Sequence, residues 1–376
     1  MDEACQSVID RMDNWHIASS AIWVLLATIY ILIFVFIAVK FFRARAQQRA
    51  SGFSYAKYLS LLGIAMFFIS ISDFVLGLGG FFNNPPKSAN IAQQYFGSKF
   101  FAAWQFLYTS GQCFLVASKI LVLVRLLEFS GKSSQGISPQ KINFIRLLLW
   151  FIFVVYAIVC VISAAILFFD ALSSQTSVSL FETLTAVIVL ARCFTCISLA
   201  IVFMYGGYTR CTLTNCNCLT RSHLTTHLFL SHASPLALVT VSSVLLSIRV
   251  TKLSTKPLDN AAAFSKHHEK LLSDTKKSVR VFLLKLQIST AWNAFFFCVV
   301  FTFNILVGVG LGGLKGSYEN MCSYEQPAVT RLLPFLVINP FAASTMNFCA
   351  EGVAALLTLW AMAPTFQKVQ MAGESM

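Results

Sequence analysis

Charge is scarce in this sequence. Asp, Glu, Lys and Arg supply only 11% of its 376 residues, against about 25% in soluble globular domains. That scarcity excludes a water-facing surface over most of the chain. Several chemical signatures are missing as well. No N-x-S/T acceptor occurs, so N-glycosylation is not expected. Neither an H-E-x-x-H metalloprotease pair nor a G-x-S-x-G nucleophile elbow is present, and the expectation is a protein that is not an enzyme and carries no cofactor. The net charge of +13 is not accompanied by a soluble basic module with groove-reading or base-stacking elements, so nucleic acid is not an expected partner.

Hydrophobic residues make up 57% of the chain, with 36 phenylalanines. Long apolar runs recur at 17–40, 58–82, 100–124, 147–169, 183–206, 284–312 and 332–362. Each is long enough for a helix to cross hydrocarbon, which takes about 20 residues. Helices also satisfy their own backbone in lipid. The expected fold is an all-α, polytopic membrane bundle of seven transmembrane helices, in the plasma membrane or an endomembrane. The first sixteen residues hold Asp2, Glu3, Asp10 and Asp13 against a single Arg11, the opposite of the basic start of a signal peptide. The first helix is therefore expected to stay as an anchor.

Basic residues set the orientation. With the N-terminus outside and the C-terminus cytosolic, only Arg11, Lys87, Lys99, Lys315 and Arg331 fall outside, against 21 in the inner connectors and tail. Three segments follow: helices one to five with short loops over 1–206, a long basic cytosolic connector over 207–280, and helices six and seven with a short tail over 281–376. The expected partners are the bilayer with its anionic inner leaflet and a cytosolic signalling protein.

The connector differs in texture from its surroundings. Its apolar stretch 236–248 has thirteen residues, below spanning length, and an eighth crossing would put nine basic residues outside. Cys211, Cys216, Cys218, His223 and His227 follow C-x4-C-x-C-x4-H-x3-H. Zinc fingers separate their Cys and His pairs by about 12 residues, so no metal site is assigned. Juxtamembrane acylation of Cys211, Cys216 and Cys218 and plain reduced thiols stay open as readings. On the outer side, Cys5 and Cys322 are the only cysteines and form a candidate disulfide. Those within spans, Cys113, Cys160, Cys193, Cys196, Cys298 and Cys349, read as small apolar packers.

Four ionisable residues lie deep inside the runs: Asp73, Lys119, Arg192 and Glu351. Each costs roughly 2.5–3.5 kcal/mol near a helix centre on insertion scales, so each needs a partner or a watery cavity. Counting along the spans places Asp73 and Arg192 somewhat outside the midplane, and Lys119 and Glu351 somewhat inside it. Side chains lean toward their helix N-terminus, which brings the layers together. A polar cluster of Asp73, Lys119 and Glu351, with Arg192 near by, is expected to act as a ligand or ion site, a latch or a static lock. Trp104, Gln105, Gln112, Trp292, Asn293 and Asn347 are candidate lining residues for the same interior.

Seven spans, an outer N-terminus and a long basic third inner connector resemble the G-protein-coupled receptors. Asp73 stands where rhodopsin-like receptors carry a helix-two acid, and Asn339-Pro340 looks like their helix-seven N-P, although near the other end of the span. Arg125 precedes Glu128 in "VRLLEF" where the family reads D/E-R-Y. Helix six reads "AWNAFFF" where the family reads C-W-x-P, and residues 170–182 contain no cysteine for the family's outer-loop disulfide. The resemblance implies a receptor-like protein that binds a small molecule from outside and signals to a cytosolic partner. The alternative is an ion- or proton-coupled transporter or channel that uses the intramembrane Asp, Lys and Glu.

Overall fold

A computed structural model of the chain describes residues 2–47, 55–82, 99–132, 139–173 and 340–362. It also describes 183–188, 190–192 and scattered positions between 180 and 198, scattered positions between 281 and 306, and residues 328 and 331. All regular structure among the described residues is helical. A short helix α1 (Asp2–Asp10) precedes α2 (Met12–Gln47), α3 (Tyr55–Phe82), α4 (Lys99–Lys132) and α5 (Pro139–Leu172). A shorter apolar helix, α6, covers Thr183–Arg192. The last span is built in three pieces: α7 (Pro340–Asn347), a π-helical segment (Phe348–Val353) and α8 (Ala354–Met362).

Five helical stretches among the described residues are long and apolar enough to cross a membrane: Ile17–Arg45, Tyr55–Phe82, Lys99–Val124, Gln140–Leu172 and Ala342–Ala361. They coincide with five of the seven apolar runs. Among the described residues the chain is all-helical, and its five long apolar helices are those of a multi-pass membrane protein. The other two runs, 183–206 and 284–312, are described only in part, and the whole connector from 207 to 280 lies outside the described residues.

Local sequence sets the helix ends. Asn83, Asn84, Pro85 and Pro86 follow α3 directly, and a proline pair cannot donate the hydrogen bonds that would extend the helix. Pro139 and Pro340 open α5 and α7, where a missing N–H costs nothing and the ring already holds the helical φ. Side chains then sort by face. On α5, Phe151 is 65% and Phe169 67% exposed. In water such a stripe would drive association; against acyl chains it is at home.

The chain divides into two compact units. The first comprises Met1–Val122, Trp150–Cys196 and Val299–Gly352, and the second comprises Leu123–Leu149, Ile197–Cys298 and Val353–Met376. In the first unit α2 packs along α3 through small residues. A Cβ on Gly77 would lie 2.7 Å from Val24 Cγ2 and 2.9 Å from the Ser20 carbonyl oxygen, so only glycine permits this approach. The Ser70 hydroxyl donates to the Ala27 carbonyl at 2.8 Å and closes the same interface. Gly111 does for α3 and α4 what Gly77 does for α2 and α3: a Cβ there would meet Ile69 Cγ1 at 2.9 Å and the Ala65 carbonyl oxygen at 3.2 Å. Phe68 and Phe114 stack across that contact with centroids 5.8 Å apart.

Further round the bundle, Phe106 of α4 stacks on Phe168 of α5 at 5.8 Å. The Cys160 thiol of α5 lies 4.0 Å from the Ile188 carbonyl of α6. The last span returns to α2, where the Tyr30 hydroxyl donates to the Asn347 carbonyl at 3.4 Å and the Tyr30 ring meets Phe348 edge-on. Cys113 and Cys160 are buried free thiols. Cys5 is disulfide-bonded and fully buried; Cys322 lies outside the described residues.

Candidate functional site

The polar residues of the first unit converge on Glu351. The π-helical segment carries it. A π-helical turn adds a residue to the turn and displaces the side chains around it, and such turns are frequent at functional sites. Glu351 is 5% exposed. Its Oε1 accepts from two α4 donors, the Tyr108 hydroxyl and the Gln112 side-chain amide. Trp104, Tyr108 and Gln112 are spaced i, i+4, i+8, so one stripe of α4 faces the last span. The Trp104 and Tyr108 rings stack with centroids 5.1 Å apart, which fixes the phenol's direction.

Two bases reach this centre. Arg192, on α6, holds its guanidinium over the Tyr108 ring at 5.2 Å and donates through Nη2 to the Thr109 hydroxyl at 3.2 Å. Both Arg192 and Lys119 act electrostatically on Glu351. Two hydrogen bonds and two positive charges thus converge on the Glu351 carboxyl group.

Asp73 is in a different position. It is 1% exposed and lies within electrostatic reach of Glu351, with the Trp104 indole beside it. Yet Asp73 Oδ1 and Trp104 Nε1 are both buried without a hydrogen-bond partner, and so are Glu351 Oε2 and Arg192 Nε. Unsatisfied buried polar atoms are costly, at about 1–3 kcal/mol each, and more when charged. Native proteins keep few of them, and each calls for a ligand, a water or a catalytic or transport role. Here several surround one acid pair. Tyr30, from α2, also lies within electrostatic reach of both carboxylates.

The sequence-selected residues distribute as follows. Asp73, Lys119, Arg192, Glu351, Trp104 and Gln112 belong to this centre. Gln105 is buried on α4. Asn347 takes part through its backbone carbonyl, which receives Tyr30. Asn293 and Trp292 lie in the second unit. There the Asn293 amide donates to the Ser289 carbonyl at 2.8 Å and to the Thr358 hydroxyl at 3.4 Å. The Ser289 and Thr358 hydroxyls lie 3.1 Å apart, and the Trp292 ring packs on Phe296. Cys211, Cys216 and Cys218 lie outside the described residues. No group of three His, Cys, Asp or Glu that could hold a metal ion occurs among the described residues.

Sequence reasoning passed over Tyr108, Thr109 and Tyr30. For Tyr108 a signal existed, since it sits midway between Trp104 and Gln112 on one helical stripe. For Thr109 and Tyr30 none did, because their roles depend on which helix lies opposite. The chain shows no match to any family model, curated protein or solved structure.

Proposed function

We propose that the protein is an ion- or proton-coupled transporter or channel, with seven membrane-spanning helices, an outer N-terminus and a cytosolic C-terminus. The observation that carries this reading is the acid pair. Two buried carboxylates, on α3 and on a π-helical turn, each retain an oxygen with no partner. Ionisable groups at membrane depth mark ion pathways and proton relays. A static lock would pair its charges on both sides; this centre satisfies one oxygen of Glu351 and leaves Asp73 Oδ1 open. Lys119 and Arg192 bring positive charge to the Glu351 side of the pathway.

A receptor-like reading stands second and rests on charge distribution. Twenty-one of the 28 basic residues fall on the cytosolic side in the proposed topology, a face suited to an acidic cytosolic signalling partner and to an anionic leaflet. Reconstitution in vesicles separates the two. Ion or proton flux that Asp73→Asn removes supports the transporter. Nucleotide exchange on an added G protein, in vesicles that show no flux, transfers the assignment to the receptor.

A further inference from the structure

We infer that Asp73 is the residue that takes up and releases a proton inside the membrane, with Glu351 as its fixed negative neighbour. This rests on the ion-coupled reading above and names the ion. Donors and charges divide unequally between the two acids. Ionised carboxylates only accept hydrogen bonds; a protonated one also donates. Around Glu351 stand two donors to Oε1, the Tyr108 hydroxyl and the Gln112 amide. Two cations, Lys119 from α4 and Arg192 from α6, also act on it. All of these favour the anion.

Around Asp73 the balance reverses. The charge that acts most strongly on it is the like charge of Glu351, ahead of the neutral Trp104 indole and Ser72 hydroxyl beside it. The Ser72 hydroxyl donates to the Ile69 carbonyl at 2.7 Å, and Oδ1 has no hydrogen-bond partner. Arg192 is committed to Thr109 and to the Tyr108 ring. Tyr30, the titratable group from α2, is a neutral phenol whose hydroxyl is given to Asn347. Two acids whose surroundings differ this way divide the roles: one stays ionised and the other carries the proton. A proton on Asp73 turns an orphaned acceptor into a donor and removes the repulsion with Glu351. Uptake takes the proton from water at one face; release returns it to water at the other. The 99% burial of Asp73 leaves room for a proton more readily than for an organic ligand.

The test is infrared spectroscopy of the full chain in lipid nanodiscs, read at the C=O stretch of protonated carboxyl groups. Wild type is expected to show a buried, protonated carboxyl band at neutral pH. Asp73→Asn is expected to abolish it. Glu351→Gln is expected to keep it but shift its disappearance to lower pH, because a neighbouring anion favours the protonated form. Where Asp73→Asn does not fold, labelling of wild type by a hydrophobic carbodiimide, which requires a protonated carboxyl, is expected to mark the peptide containing Asp73. Absence of the band and the label overturns the inference. So does a band lost in Glu351→Gln but kept in Asp73→Asn, which makes Glu351 the carrier. A band removed by sodium at constant pH also overturns it and assigns the site to a metal cation. None of these readouts uses flux. A band without flux sinks the transporter reading alone, and flux without a band sinks only the proton assignment.

Discussion

Tyr108→Phe removes one hydroxyl from the centre and leaves nearly everything else in place. The Phe ring keeps the stack on Trp104 at 5.1 Å and the platform for Arg192 at 5.2 Å, so the change isolates the hydrogen bond to Glu351. In soluble proteins a bond to a charged group contributes about 1.5–3 kcal/mol. Inside membranes measured couplings are smaller, averaging about 0.6 and reaching about 1.7 kcal/mol, because the unfolded state also finds partners. Gln112 remains on the same oxygen, which softens the loss further. The expected cost is about 1 kcal/mol, read as a shift in reversible SDS-induced unfolding in mixed micelles. The decisive measurement is the cycle with Glu351→Leu. In the Leu background the hydroxyl has lost its acceptor, so Tyr108→Phe should cost nothing. An equal cost in both backgrounds, within about 0.5 kcal/mol, would show that Tyr108 and Glu351 do not interact and would refute the site as drawn.

Gly77→Val and Gly111→Val each place a branched side chain where a Cβ alone already lies under 3 Å from the next helix. Each is expected to cost about 1–3 kcal/mol in the same unfolding assay, whereas Gly63→Ala, whose nearest neighbour is 3.4 Å away, should be close to neutral. Ser70→Ala loses the 2.8 Å bond to Ala27 and should cost about 0.6 kcal/mol. Cys5→Ser should release its disulfide partner as a free thiol, detectable by alkylation under denaturing conditions and peptide mass. The loss of stability should be about 2–4 kcal/mol.

Hydropathy made the membrane class legible because a run of some 20 apolar residues has few other uses. The intramembrane acids were legible for a related reason: Asp73 and Glu351 stand out against their surroundings, and their cost implies an interior position. Tyr108 was hidden because tyrosine is ordinary at membrane interfaces, and only its phase between Trp104 and Gln112 distinguishes it. The π-helical turn around Glu351 was not legible, since "FCAEGV" carries no local signature and the extra residue per turn is settled by packing. Asn293 shows the limit of arguing from polarity. A polar residue in a span has to find a partner, but composition does not say which, and Asn293 pairs with Ser289 and Thr358. Gly77 and Gly111 are not distinguished in the sequence from the chain's other glycines for the same reason: close approach belongs to two helices, and each helix alone is silent about it.

The most direct test is whether Glu351 faces α4 in a native membrane. Gln112→Cys paired with Glu351→Cys, treated with a short bifunctional thiol reagent, should yield a joined peptide detectable by mass. Phe151→Cys, on the exposed face of α5, should give none with the same partner. Absence of the first link, or formation of the second with equal yield, would place Glu351 away from Tyr108 and Gln112 and contradict the account.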